Sequence, residues 1–376
     1  MFSLHVDTAR TWRGGQNQVL LTVLGLRARG QRAALVAHPD GELRRRAGEG
    51  PDLFPIVPST EMDFRTAWQL SRLLRQLQPD VVHAHDAHGV ATTALALLLG
   101  GSTLDTRFVA ARRVDFHIGK NAFSRWKYRQ VECFICASSF IRSMLTSDGI
   151  SPDRTTVVYE GVDLDHVSAA PTLDVHKEFW LAHNAPVVGN VAALVPHKGQ
   201  RYLIDAAALV VRQVPDARFL VIGEGELHGE LQRQIKQLRL EKHVILTGFR
   251  PDVLSLHKSF DLFVMSSVTE GLGTSALDAM ACGRPVVATQ AGGLSEVVID
   301  GETGLLVPVR NAAALADGIT RLLQDTVLRD TCGRAALARA RTTFNVELMI
   351  EKTLGVYRRL VDTDRGAGNV RRAAVD

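Results

Sequence analysis

Cysteine is scarce, with four in 376 residues. That is too few for a disulfide framework, and a chain of this length buries enough core to need neither disulfide nor metal staples. Long hydrophobic runs are also missing. The longest apolar stretch, Val90 to Leu99, contains two threonines and falls well short of the roughly 20 residues that span a bilayer. The opening Met-Phe-Ser-Leu-His-Val-Asp has neither the basic nor the apolar segment of a secretory leader. These absences predict a cytoplasmic protein. Strong charge is lacking as well, at a formal net +4. Dense Lys/Arg clusters interleaved with aromatics are absent, which excludes nucleic acid as the expected partner. Hydrophobic residues at 46% and charged residues at 22% are ordinary for a soluble globular chain and exclude disordered, collagen and coiled-coil classes.

What is present is alternation. Short apolar runs that read as strands fall at Leu4–Asp7, Ala33–Ala37, Pro55–Val57, Val81–His85, Phe108–Arg112, Cys133–Ala137 and Thr156–Tyr159, then at Val187–Leu194, Arg218–Ile222, Val244–Thr247, Leu262–Met265, Pro285–Ala288 and Gly304–Val307. Most are continuous rather than alternating, the mark of parallel strands covered on both faces. Helical spacing lies between them, as in Leu203, Ala207, Val210 and Val214. The expected fold is α/β, with two Rossmann-like, doubly wound parallel-sheet domains. Residues 1–165 would form the first and 186–344 the second. A seam falls between Gly161 and Pro186, where no clean strand occurs. Residues 345–376 would add an amphipathic helix that could cross back to the first domain, and a frayed polar tail after Asp362. In such sheets ligands sit at the carboxyl ends of strands, so the loops there carry the functional reading.

The richest loop runs from Glu270 through Gly271, Leu272, Gly273, Thr274 and Ser275 to Asp278 and on to Val287. It follows a strand and opens a short helix. Its glycines allow close backbone approach, and its helix start suits phosphate. Glu270 and Asp278, eight residues apart, could serve a sugar and ribose hydroxyls; alternatively Ser275 and Asp278 form a capping box around turn glycines. Lys198, before Gly199, offers a point charge to phosphate or is an ordinary surface lysine. Gly14-Gly15 follow the first strand but lack the third glycine and the later acid of a dinucleotide fingerprint, which argues against a dehydrogenase. His83 and His85 share one strand face. A metal site there is conceivable, but no thiolate or acidic cluster completes it. His83 reads as a core histidine. Cys133 and Cys136 sit on a strand and read as a buried structural pair rather than a redox pair, which would sit at a helix start. The segment Lys120–Gln130 and the helix Arg65–Leu77 are basic and could rest on an anionic membrane, or be solvated faces.

Together, Gly14-Gly15, His83-Ala84-His85, Lys198-Gly199, Gly223-Glu224-Gly225, Gly248-Phe249-Arg250, Glu270 to Val287 and Gly292-Gly293-Leu294-Ser295-Glu296 resemble, in order and spacing over nearly the whole chain, the retaining glycosyltransferases of family 4 (group 1), which have the GT-B fold. The resemblance implies a nucleotide-sugar donor, which is a substrate and not a cofactor, held mainly by the second domain, with no metal required. It places His85 beside the transferring sugar, Glu270 on donor hydroxyls, the amides of Gly271, Leu272, Gly273 and Thr274 on the diphosphate, and Asp278 on ribose. Lys198 would stabilise the leaving phosphate. Gly14, Gly15, Gly223 and Arg250 would flank the donor, and Arg13, His88 and Arg113 are the acceptor-side candidates. Two departures stand out. Aspartate replaces the second glutamate at Asp278, and Ala193 stands where the family commonly has an arginine; Arg13, Arg112, Arg113 or His197 are the available substitutes. The implied reaction is sugar transfer to an acceptor hydroxyl with retention, in envelope or cell-surface glycan assembly, with a glycan or lipid-linked acceptor and domain closure across the seam. The rival expectations are a non-catalytic partner subunit of a glycan-assembly complex, and a nucleotide-sugar epimerase.

Overall fold

The computed structural model describes residues 1–101, 104–119 and 121–372, with side chains through residue 362. The described residues divide into two units, 1–161 with 346–372, and 162–345. In the first, seven parallel strands take the order β3-β2-β1-β4-β5-β6-β7. They are β1 (Phe2–Asp7), β2 (Arg32–Ala37), β3 (Leu53–Pro55), β4 (Val81–Ala84), β5 (Arg107–Arg112), β6 (Cys133–Cys136) and β7 (Thr155–Val157). The chain reverses direction across the sheet between β1 and β4, the switch point at which a doubly wound sheet opens a site.

Helices cover both faces: α1 (Gly14–Ala28), α2 (Glu42–Ala47), α3 (Phe64–Leu77), α4 (Ala87–Gly100), α5 (Ala122–Arg129) and α6 (Ser139–Ser147). One face buries Leu4, Val82, Phe108 and Phe134 against Leu70, Leu74 and Ile141, and the other buries Leu35, Val81 and Val109 against Val19, Val23, Ile350 and Tyr357. This explains why most of the strands read as unbroken apolar runs, since the inner strands have two dry faces. It also corrects the reading of Cys133 and Cys136. Three residues apart on a strand, they point to opposite faces, and each packs in a different core, so they form no pair.

The second unit opens with α7 (Leu164–Ala169) and α8 (Val175–Glu178). The stretch drawn as a seam, 162–185, therefore belongs to this unit. Six parallel strands follow in the order β10-β9-β8-β11-β12-β13. They are β8 (Val187–Val191), β9 (Arg218–Ile222), β10 (Val244–Gly248), β11 (Leu262–Met265), β12 (Val286–Thr289) and β13 (Gly304–Val307), interleaved with α9 (Gln200–Gln213), α10 (His228–Gln237), α11 (Val253–His257), α12 (Thr274–Ala281), α13 (Leu294–Val297), α14 (Ala312–Gln324) and α15 (Thr326–Thr343). The switch lies between β8 and β11. The last helix, α16 (Val346–Arg372), packs on α1 in the first unit. The frayed tail expected after Asp362 is instead helical to Arg372, as a propagating helix continues where no proline stops it.

Candidate active site

Each unit gathers polar side chains at the carboxyl ends of its first and fourth strands, and the two gatherings differ in kind. In the second unit, β8 ends in a 3-10 turn over Pro196–Lys198 and a left-handed Gly199 before α9 begins. This turn is tied to the loop after β11. Val268 N donates to His197 O at 2.7 Å, and Ser266 Oγ donates to Lys198 O at 3.1 Å. The tie brings Lys198 and Glu270 together. Lys198 Nζ lies 2.6 Å from Glu270 Oε2, and Ser267 Oγ donates to the same oxygen at 3.1 Å. The two side chains are only 19% and 11% exposed. A charge-assisted bond at this depth holds its geometry better than a surface pair would. Lys198 is therefore no free surface lysine.

The glycines after Glu270 shape the turn into α12. Gly273 adopts φ 99°, and a Cβ there would lie 2.5 Å from Leu294 Cδ2. Only glycine takes this turn without strain or collision. Gly293 N donates to Glu270 O at 3.0 Å, tying the Gly292-Gly293 loop to the same place. Leu272 is buried, so what it offers outward is its backbone. No side chain caps α12, whose N-cap is Gly273. The capping box between Ser275 and Asp278 does not form, and the positive end of the helix is left for an anion.

Asp278 lies one turn into α12, partly buried, and no side-chain hydrogen bond or ion pair to its carboxyl is seen among the described residues. Burial alone lifts its pKa from 3.8 to about 7. The nearby Cys282 thiol, also desolvated, is pushed up to about 12, so it is not a nucleophile at neutral pH.

Two residues expected to flank the donor make structural ties. Gly223 (φ 139°) packs so tightly that a Cβ would lie 2.0 Å from Ala192 O, and its amide donates to Gly248 O at 2.9 Å. It holds the loop after β9 between the loop after β8 and the end of β10. Arg250 donates to Asp252 at 2.6 and 2.8 Å and pairs with Glu178. Its guanidinium is committed to those two carboxylates rather than lying open for a base or phosphate.

In the first unit the register of β1 on β4 sets His5 beside His83, and His85 follows on the same side. His5 Nδ1 lies 3.0 Å from His85 Nε2, His5 Nε2 lies 3.0 Å from Ser3 Oγ, and His83 Nδ1 lies 2.6 Å from Tyr357 OH. Arg113 reaches in with NH1 3.0 Å from His85 Nδ1, while its Nε pairs with Glu160 Oε1 at 2.9 Å. Burial pushes His5 down to about 3 and holds His83 and His85 well below the ordinary imidazole range, with neighbouring cationic Arg113 acting in the same direction. All three rings are neutral. His85 is 8% exposed with both nitrogens engaged. His83 is not fully satisfied, since its Nε2 is buried without a partner.

Gly14 and Gly15 open α1, with Gly15 beside the Arg113 side chain. Gln16 bridges Arg13 N (3.2 Å) and the Asp7 carboxylate (3.2 Å). Asp7, raised to about 6 by burial and by the Asp86 charge, was not singled out by the sequence reading. Asp86 caps α4 through Gly89 N at 2.7 Å and accepts from Thr8 Oγ1 at 2.7 Å. Arg13 and His88 are exposed. Arg112 is turned inward and donates to Phe116 O. His5, Glu160, Tyr357 and Ser267 were also missed. None carries a local motif; strand register or a distant helix brings each into place.

Two doubly wound parallel-sheet units define a class, the GT-B fold. Family models match both halves of the chain, one described as Glycosyltransferase Family 4 over residues 12–166 and one as Glycosyl transferases group 1 over 174–339. An uncharacterized glycosyltransferase of Methanocaldococcus jannaschii is 30% identical over 262 residues, 68% of each chain. The D-inositol 3-phosphate glycosyltransferase of Kribbella flavida is 32% identical over 232 residues, 58% of this chain and 54% of that one, so the match spans about half that relative's length. Among solved structures, Anabaena HepE in complex with UDP-glucose aligns with a TM-score of 0.82 at 23% identity, covering 95% of this chain and 99% of its own; that likeness concerns the fold. The chain belongs to the group 1 glycosyltransferases of family 4, and it is a glycosyltransferase.

Proposed function

We propose that the protein transfers a glycosyl group from a nucleoside diphosphate-sugar to an acceptor hydroxyl with retention, the second unit holding the donor and the first serving the acceptor. The observation that carries this is the Lys198–Glu270 pair at 2.6 Å, set beside the uncapped, glycine-lined start of α12. In this reading the α12 amides meet the diphosphate, Glu270 meets sugar hydroxyls, and Lys198, oriented by Glu270, supplies a positive charge to the leaving phosphate. Asp278 meets ribose. The bond between the anomeric carbon and the phosphate oxygen breaks with its electrons passing to the diphosphate. The acceptor oxygen bonds the anomeric carbon from the same face and releases its proton to that departing phosphate oxygen. The protein's share is electrostatic stabilisation of the leaving group and positioning. The nucleotide-sugar is consumed as a substrate, and no cofactor enters the scheme. HepE, solved with UDP-glucose, supports a uridine donor as the first to try.

The test is a thermal-shift screen of the full chain with UDP, GDP and ADP, followed by product analysis with the matching nucleotide-sugar. Stabilisation by one of them and transfer to an acceptor are expected. Absence of any shift would favour the partner-subunit role, and isomerised donor without acceptor would favour an epimerase.

The acceptor is proposed to be a glycan or a lipid-linked one met at an anionic membrane face. No helix among the described residues is long and apolar enough to cross a membrane, so contact would be peripheral. Phe64 and Trp68 on α3 are 54% and 50% exposed. Arg65, Arg72 and Arg75 share that outward face, and the helix carries no acidic residue. Aromatic and arginine side chains together suit the interface of an anionic bilayer. In the other basic segment, Lys120 lies outside the described residues, and Lys127 is buried against Glu61 at 2.8 Å, facing inward rather than toward lipid. The chain should pellet with anionic vesicles at low salt; failure to pellet would remove the membrane from the scheme.

A further inference from the structure

Four side chains in the first unit stand in line. Arg113 NH1 is 3.0 Å from His85 Nδ1, His85 Nε2 is 3.0 Å from His5 Nδ1, and His5 Nε2 is 3.0 Å from Ser3 Oγ. A guanidinium donates and never accepts. His85 Nδ1 must therefore be the bare nitrogen, and the ring's single proton sits on Nε2. That N–H points at His5 Nδ1, which must accept in turn, so the proton of His5 also sits on Nε2 and is given to Ser3. One cation orders every proton along the line. The rings are too deeply buried to carry a charge of their own, and Arg113 is itself fixed by Glu160 at 2.9 Å.

We propose that Arg113 is a positioning residue that holds His85 and His5 as neutral Nε2–H tautomers, so that His85 meets the reaction as a fixed neutral ring and not as a proton acceptor. The consequence for the reaction rests on the sugar-transfer reading above; the tautomers rest on geometry alone. With Nδ1 covered by Arg113 and Nε2 protonated, His85 has no lone pair to offer the acceptor hydroxyl, so the proton goes to the departing phosphate. The same polarity weighs against a metal. Nitrogens of His5, His83 and His85 lie within 4.8 Å of one another, but a ligating histidine ordinarily donates its other N–H to a carboxylate or carbonyl. His85 has a guanidinium there, which cannot receive it.

The test is long-range 1H–15N correlation spectroscopy of the full chain labelled at its 13 histidines, with the signals of His85 and His5 assigned by His85→Gln and His5→Gln. Both rings are expected as Nε2–H tautomers, unchanged between about pH 5.5 and 8, where an ordinary histidine titrates. Arg113→Lys keeps a donor-only group and should preserve the pattern. Arg113→Met, combined with Glu160→Gln to avoid stranding a carboxylate, should release both rings into tautomer exchange and lower kcat about tenfold, the scale of one lost charge-assisted bond, with KM for the nucleotide-sugar unchanged. An Nδ1–H or charged His85 in the unaltered chain overturns the proposal, as does an unchanged tautomer in the methionine variant. If that variant does not fold, the spectrum of the unaltered chain decides. An unaltered chain with the expected tautomers but no transfer activity would refute the sugar-transfer reading alone.

Discussion

The two units are built to one plan and furnished differently. Both sheets run third-second-first-fourth-fifth-sixth, with a seventh strand added in the first, and both place their polar groups at the ends of the first and fourth strands. In the second unit those ends carry a lysine–glutamate pair and a glycine turn that presents backbone at an uncapped helix start. In the first they carry three buried neutral histidines, two of them in line with one arginine. A shared backbone plan therefore leaves chemistry to the few residues at the switch point. One unit supplies charge, and the other supplies fixed, uncharged shape.

The contrast can be broken most sharply in the second unit. Lys198→Ala and Glu270→Ala should each lower turnover at least tenfold and more nearly a hundredfold, the scale of a lost electrostatic contact to a leaving group. Steady-state rates on the nucleotide-sugar found by the thermal-shift screen would check this, and near-normal rates in both variants would dismantle the residue roles. In the first unit the expected loss is of stability. Tyr357→Phe removes the hydroxyl 2.6 Å from His83 Nδ1 and leaves a buried ring whose Nε2 already has no partner. About 1–3 kcal/mol should be lost in denaturant unfolding, while nucleotide binding stays as it was.

A smaller effect follows from Asp278. Its carboxyl is held at about 7 when folded against an ordinary 3.8, so the folded chain binds that proton more tightly than the unfolded one. The stability tied to this group is present at low pH, declines as pH rises from about 4 to 7, and is level above that. Asp278→Asn should flatten that part of the melting-temperature profile and weaken nucleotide binding above pH 7, where the carboxylate would accept from ribose. An unchanged profile would mean the group is better solvated than its surroundings suggest. The least effect on the folded chain should come from α3. Trp68→Ala with Arg72→Glu should reduce pelleting with anionic vesicles and leave transfer to a water-soluble acceptor unaltered, because both side chains face outward.

Most strands were legible because a strand dry on both faces must be apolar throughout, and such runs are conspicuous; the half-exposed edge strand β3 lies at Leu53–Pro55, two residues before the expected Pro55–Val57. Strand ends were less legible. Val187–Leu194 was drawn too long because Ala192 and Leu194 are apolar for a different reason, as they pack in the loop that Gly223 and Glu224 tie down. The stretch 162–185 looked like a seam because it lacks strands, yet its two short helices belong to the second unit. Glu270, Lys198 and the α12 turn stood out because close backbone approach needs glycine and anion binding needs a cation, both local requirements. Gly223 and Arg250 bore the same local marks, and their neighbours took them for structural use.

The order of short apolar runs and helical stripes, the absence of a membrane-length segment, and the loop from Glu270 to Asp278 were determined by sequence alone, because periodicity and turn chemistry act over a few residues. The pairing of Lys198 with Glu270, 72 positions apart, the inward turn of Arg250, and the line from Arg113 to Ser3 were decided only by tertiary structure. Strand register and helix return bring distant residues within hydrogen-bond reach, and burial then sets which of them carry charge. No local pattern encodes either.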